Sequence, residues 1–167
     1  MTDNHKKFLS HLDNSTEAVF IAALYLHKKG LDVRINAMQR AKSHKDWKNC
    51  KDDGDLYVYK NKNKYRVEVK GSGTGFSCSE DWKYKDFMIC AKHSYDLAEP
   101  KPYAYMILSK ERTHVAIVKT STKHKWNYKY KMDKRYENYG QEFYFCSKDN
   151  VEWRALWNLQ ERYKTDH

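Results

Sequence analysis

The chain has 167 residues, and its 32 Lys and Arg against 22 Asp and Glu give a formal net charge of +10 at pH 7. This balance favours a polyanionic partner such as nucleic acid. The longest apolar stretch, residues 18–26, is far shorter than the roughly 20 residues of a membrane-spanning helix, and the first residues lack the apolar core of a signal peptide. We therefore expect one domain over residues 1–167, soluble and cytoplasmic, with no membrane contact.

The first predicted element is a helix. Residues 14–16 (Asn-Ser-Thr) supply N-cap side chains, and the apolar run that follows ends at Gly30. Glu17 lies in the first turn, where it is either a surface acid favoured by the helix dipole or a carboxylate directed at a site. Alternation then predicts a strand over residues 31–36. The basic residues 37–51, helical in part, would connect it to the next strand and suit a surface that faces DNA.

A hairpin follows, with an acid on each of its strands. Residues 55–59 and 65–70 alternate as strands, separated by the polar turn 61–64. Glu68 and Lys70 point to the same face, because side chains two apart share a face of a strand. If residues 61–64 close the hairpin symmetrically, Asp55 lies opposite Lys70 and one diagonal step from Glu68. Two carboxylates and one ammonium group would then share a patch able to hold a divalent cation.

This order of residues, Asp55, a gap, then Glu68-x-Lys70, resembles the motif of the PD-(D/E)XK nuclease superfamily. Glu17 matches the glutamate that this superfamily tends to carry on its first helix. Gly54 stands where the motif has proline. We expect this departure to matter little, because that position supplies no metal-ligand atom.

The resemblance implies a fold and an activity. The fold would be α/β (α+β), with a restriction-endonuclease-like αβββαβ core around a central mixed sheet. The matched core covers residues 14–92, and residues 103–167 would add C-terminal strands and a helix. The activity would be Mg²⁺-dependent cleavage of nucleic acid, most simply by a DNA endonuclease, with Mn²⁺ as an alternative ion. Many members of the superfamily cut as dimers, so a homodimer is a further expectation.

The resemblance also implies a role for each residue of the site. Asp55, Glu68 and the Val69 carbonyl would bind Mg²⁺, with water in the remaining positions. Glu17 would hold a water bound to the metal. Lys70 would orient or deprotonate the nucleophile and offset charge on the scissile phosphate.

Acid-x-Lys triplets are common, so context decides between interpretations. Other examples in the chain are Asp46-Trp-Lys48, Asp81-Trp-Lys83 and Glu99-Pro-Lys101. None of these ends an alternating strand that follows a hairpin partner bearing an acid. The alternative for Asp55, Glu68 and Lys70 is an exposed hairpin face with ion pairs, each contributing at most about 1 kcal/mol. Asp53 replaces Asp55 if the strand register is shifted.

The remaining elements follow from local patterns. A capping box at Ser77 and Glu80 predicts a short helix to about residue 85. Residues 94–102 form a predicted loop. Asp149 and Glu152 open a predicted final helix, whose aromatic stripe would pack in the core. Strands are predicted over residues 87–91 (with a helical alternative), 103–108, 114–118 and 141–146.

The segment 123–136 interleaves lysines with aromatic residues, a combination that pairs phosphate attraction with base stacking. As a strand it would place Trp126, Tyr128 and Tyr130 on one face and the lysines on the other. Alternatively, the aromatic face covers the core and the lysines meet water. The candidate nucleic-acid contacts are Lys83, Lys125, Trp126, Lys129 and Lys131.

Two other kinds of protein remain open at this stage: a basic nucleic-acid-binding module without turnover, and a small partner or inhibitor protein whose charge serves solubility. The four cysteines, Cys50, Cys78, Cys90 and Cys146, include no Cys-x-x-Cys pair. They are therefore interpreted as packing residues or incidental thiols rather than zinc ligands.

Overall fold

The computed structural model describes residues 3–36, 54–132 and 139–157. It begins with a long helix, α1 (Asp3–Lys28), which contains the predicted helix and starts before residue 14. The α1 side chains of Ala18 and Ala22 are fully buried. Gly30, at φ +79°, ends the helix in the left-handed conformation that favours glycine. Within the described residues, no helix is both long and apolar enough to cross a membrane.

Six strands form a large mixed sheet. In order across the sheet they are β1 (Asp32–Ile35), β2 (Leu56–Lys60), β3 (Asn63–Gly71), β5 (Ala104–Leu108), β6 (His114–Lys119) and β9 (Glu152–Ala155). Strands β3 and β5 run parallel, and every other neighbouring pair is antiparallel. Helix α1 covers one face, where Val67, Val69 and Met106 lie in the same buried cluster as its alanines.

Three further strands form a small antiparallel sheet in the order β4 (Asp86–Ala91), β8 (Gly140–Ser147) and β7 (Asn127–Met132). This sheet packs on the face of the large sheet that is turned away from α1. Phe87 and Cys146 of the small sheet share a buried cluster with Tyr105 and Val118 of the large one. A short helix, α2 (Lys92–Leu97), leads from β4 toward β5.

The coarse fold prediction is confirmed: the protein is mixed α+β with a central mixed sheet. A strand overlaps each of the predicted strands at residues 31–36, 87–91, 103–108, 114–118 and 141–146. The strand at residues 87–91 belongs to the small sheet, however, so β5 is the strand that pairs with β3 in parallel.

Two predicted helices are wrong. Residues after Ser77 form a turn, because the Asp81 carboxylate accepts hydrogen bonds from the Ser77 backbone N–H (2.8 Å) and hydroxyl (2.6 Å). The predicted final helix is β9, which pairs with β6 along the edge of the large sheet. Part of the predicted loop 94–102 is α2. The predicted connection 37–51 lies outside the described residues.

Candidate active site

The hairpin β2–β3 is tighter than predicted. Its turn consists of two residues, Asn61 and Lys62, both in the left-handed region (φ 50° and 66°). This is the conformation of the two-residue turns that fit strand twist. The register therefore pairs Leu56 with Val67. The expectation of a four-residue turn with Asp55 opposite Lys70 is wrong: continued by one step, the register places Asp55 opposite Glu68.

The side chain of Asp55 is hydrogen-bonded to the backbone of the residue between Glu68 and Lys70. Its Oδ2 accepts a hydrogen bond from the backbone N–H of Val69, with the two atoms 2.7 Å apart. The Asn36 side chain donates to the Gly54 carbonyl (2.9 Å), and the Asn36 backbone N–H donates to the Asp55 carbonyl (3.1 Å). The segment that carries Asp55 is thus held between the end of β1 and the edge of β3.

Glu68 has a partner that the sequence analysis missed. The Nε of Arg66 donates to Oε1 of Glu68 at 2.6 Å, and the two side chains are only 1% and 15% exposed. Arg66 also donates to the Pro100 carbonyl at 3.4 Å. The signal was present in the sequence, because Arg66 lies two residues before Glu68 and therefore shares its face. This ion pair fixes the orientation of the Glu68 carboxylate.

The glycine that replaces the motif's proline has a structural reason. Gly54 has φ +79°, which the proline ring excludes. A Cβ at this position would also lie 2.6 Å from Arg66 Nε and 2.9 Å from Glu68 Oε1. Glu68 Oε1 therefore lies close to Gly54, the residue adjacent to Asp55, near the start of β2.

Lys70 is half-buried on the same face as Glu68. Its side chain makes no hydrogen bond or ion pair with another residue in the described part of the chain. Burial raises the pKa of the nearby Cys90 thiol, and the charges of Lys70 and Glu68 act on it in opposite directions. The ion-pair interpretation predicted an exposed hairpin face with ion pairs. The ion pair on this face joins Glu68 to Arg66, and both of its side chains are mostly buried.

Glu17 lies on the other side of the sheet. Its carboxylate is exposed, and Oε2 is 3.9 Å from Nε of Arg112. Arg112 in turn packs over Gly71, with Nη2 2.5 Å from the position of a Cβ there. Since Gly71 and Lys70 face opposite ways, Glu17 approaches the end of β3 from the α1 side.

The donor atoms of the candidate site suit a magnesium ion with two carboxylate ligands. Among the residues that the structure describes, no group of three or more His, Cys, Asp and Glu side chains is arranged to hold a metal. Mg²⁺, however, is commonly held by one or two carboxylates together with water and substrate phosphate. Asp55 and Glu68 provide two, each oriented through one oxygen by a protein donor. Asp53 lies outside the described residues.

The candidate nucleic-acid contacts fall into different surroundings. Trp126 is 9% exposed, and its indole N–H donates to the Thr122 hydroxyl at 3.0 Å, which favours the core-packing interpretation. Lys129 forms an ion pair with Asp86. Lys125 and Lys83 are exposed. Lys131, on exposed β7, packs its ammonium over Phe145, and residues 133–136 lie outside the described part of the chain.

Comparisons with known proteins find no match: no protein-family model, curated protein or solved structure matches the chain.

Proposed function

We propose that the protein is a metal-dependent phosphodiester hydrolase of nucleic acid, of the PD-(D/E)XK type, and that it acts as a DNA endonuclease. The observation that carries this proposal is the grouping at the start of β2. There Asp55 is bonded to the backbone between Glu68 and Lys70, and Lys70 has no counter-ion among the described residues. A half-buried lysine that shares a strand face with Glu68, yet is paired with neither carboxylate, suits a group that contacts the substrate.

The topology supports the same proposal. A helix is followed by three antiparallel strands, a short helix and a strand parallel to the third, which is the αβββαβ order of the restriction-endonuclease-like core. The small-sheet strand β4 is inserted before the short helix. The substrate class follows from charge, because a net charge of +10 attracts a polyanion.

The chain's own residues would act as follows. Asp55, Glu68 and the Val69 carbonyl would hold the ion, which when bound supplies Lewis-acid chemistry and a more acidic water. Lys70 would donate to the attacking water or to a phosphate oxygen and offset the charge that develops there. Arg66 would fix the Glu68 carboxylate. The proposal does not require Glu17 as a ligand, since two carboxylates suffice.

A non-catalytic nucleic-acid-binding module is the second candidate. The buried Arg66–Glu68 ion pair favours it, because a cation already neutralises one of the two acids. Turnover separates the two candidates directly. A binding module retains affinity for DNA and cuts no substrate under any metal condition.

The test is incubation of the full chain with plasmid, single-stranded and branched DNA, in EDTA, Mg²⁺ or Mn²⁺. We expect cleavage only with metal, and its loss in Asp55→Asn. The matched control is Asp32→Asn. Asp32 is exposed on β1, at the end of that strand far from Asp55, so this variant should cut normally. Metal-dependent cleavage that survives unchanged in Asp55→Asn would refute the proposed site.

A further inference from the structure

Strand β7 is exposed along its whole length. It lies at the edge of the small sheet, and all six of its residues are exposed. Tyr128 and Tyr130 share one face of the strand, with 56% and 66% of their surfaces exposed. Two large aromatic rings are therefore mostly exposed to solvent on one face of this strand.

The two faces of β7 differ in what their side chains contact. Lys129 and Lys131 lie over the Phe145 ring, 5.3 and 4.9 Å from its centroid, and Lys129 is also paired with Asp86. On the opposite face, Tyr128 makes an edge contact with Tyr144, at 6.3 Å between centroids, and Lys92 Nζ lies 5.3 Å from the Tyr128 ring centroid. The Tyr130 ring packs over Gly140. The lysines of β7 therefore lie over a ring of their own sheet, whereas more than half of the surface of each tyrosine remains exposed.

Lys123 lies beside the tyrosine face, and Lys125 follows it two residues later in the chain. Lys123, just before β7, has Nζ 4.1 Å from the Tyr144 ring centroid. Within the described part of the chain, neither Lys123 nor Lys125 has a carboxylate in ion-pair distance. Two acids lie nearby, and Lys92 engages both: Asp96 at 2.8 Å and Glu142 at 3.9 Å. The charge left without a partner near the tyrosines is positive.

We propose that the tyrosine face of β7 binds unpaired bases of a single-stranded nucleic acid, and that Lys123 and Lys125 contact its phosphates. Rings two residues apart on a strand are about 6.7 Å from each other, which lets neighbouring bases reach both. Stacking needs free base faces, which a duplex does not offer. This inference rests on the proposed nucleic-acid partner, but it does not depend on catalysis.

The test is binding of a labelled oligothymidine and of a duplex of equal length to the full chain, by fluorescence anisotropy in EDTA. Each stacked base is worth roughly a 5- to 150-fold change in affinity. Tyr128→Ala and Tyr130→Ala should each weaken single-strand binding by such a factor and leave duplex binding nearly unchanged. Phenylalanine at either position keeps the ring and should restore affinity.

One control and one further variant make the result decisive. Tyr103→Ala removes another half-exposed tyrosine, from the start of β5, and should leave single-strand affinity unchanged. Lys123→Ala with Lys125→Ala should flatten the dependence of log Kd on log salt by about 1.4, at about 0.7 per single-strand phosphate contact. Unchanged oligothymidine binding in the tyrosine variants, or an equal loss for duplex, would overturn the inference. Because EDTA prevents cleavage, failure of the proposed hydrolase leaves this test intact.

Discussion

The Asp55 carboxylate accepts a hydrogen bond from the Val69 backbone N–H, with Oδ2 and N 2.7 Å apart. This bond lies one step beyond the last backbone pair of β2 and β3, Leu56 with Val67. A side-chain oxygen thus accepts the hydrogen bond that a backbone group would accept if the ladder continued. The position of the acid is determined by the strand that carries Glu68 and Lys70.

The first prediction separates the structural and chemical roles of Asp55. Asparagine keeps an oxygen that can accept the Val69 N–H bond, so Asp55→Asn should change the free energy of unfolding by no more than about 0.5 kcal/mol. Alanine leaves that N–H without its acceptor, and Asp55→Ala should cost about 1–3 kcal/mol. Both should abolish cleavage. Urea denaturation and plasmid cleavage measure the two effects, and equal destabilisation by both variants would contradict this account.

The second prediction concerns Lys70. Lys70→Ala should lower kcat by about 10²–10³-fold, the usual loss when one group that stabilises developing charge is removed. DNA affinity should stay nearly constant, since Lys70 is one of 32 basic residues. Lys60→Ala, at the far end of the same hairpin and exposed, is the matched control and should cut normally. A Lys70→Ala variant with normal turnover would assign the chemistry to another residue.

The third prediction uses the buried ion pair between Arg66 and Glu68. Arg66→Met removes one partner and leaves a mostly buried carboxylate, so it should lower stability by about 3–5 kcal/mol. The double variant Arg66→Met/Glu68→Met removes both charges and should recover much of that loss. It should not recover cleavage, because a metal ligand is gone. Thermal unfolding combined with a cleavage assay distinguishes these outcomes, and an active double variant would exclude Glu68 from the site.

Much of the hairpin could be predicted from sequence because its signals are local. Alternation alone placed Glu68 and Lys70 on one face of the strand, and the structure has Val67 and Val69 on the other, in the buried cluster around α1. The turn was harder to predict. Lys62 occupies a left-handed conformation that lysine does not favour, so its sequence did not indicate a two-residue turn.

The predictions that failed depended on contacts distant in sequence. Trp153 and Trp157 have helical spacing, but pairing of Trp153 with Ala116 in β6 makes this segment a strand. The division of the strands between two sheets has no local signal at all. The Arg66–Glu68 pair had one, a shared face, yet its burial depends on residues distant in sequence, such as Pro100, whose carbonyl accepts a hydrogen bond from Arg66.

The fourth prediction is a loss of stability at alkaline pH. Burial raises the pKa of the Cys146 thiol from 9.0 to about 12. Between these values the unfolded chain loses a proton that the folded protein retains, so stability present below pH 9 falls as the pH rises. The slope for this one group is about 1.4 kcal/mol per pH unit. The pKa of Cys90 is also raised by burial and adds to the loss.

The check is urea denaturation from pH 8 to pH 11 in the wild type and in Cys146→Ala. Removal of the thiol should flatten the slope by about 1.4 kcal/mol per pH unit, whatever the cost of the lost side chain. Val118→Ala, in the same buried cluster, removes apolar volume without removing a titrating group. It should shift the whole curve downward and leave its slope as in the wild type. Identical slopes in all three proteins would contradict this assignment.

The last prediction compares two glycines with the same backbone conformation. Gly54 and Gly30 both have φ +79°, but a Cβ on Gly30 would meet nothing within 4 Å, whereas one on Gly54 would lie 2.9 Å from Glu68 Oε1. Gly30→Ala should therefore cost only the left-handed strain, about 1–2 kcal/mol, and leave cleavage intact. Gly54→Ala should cost more and reduce cleavage, because the methyl group displaces Glu68 and Arg66. Chemical denaturation and cleavage rates measured on both variants test this, and equal behaviour would mean that Gly54 is needed for its backbone alone.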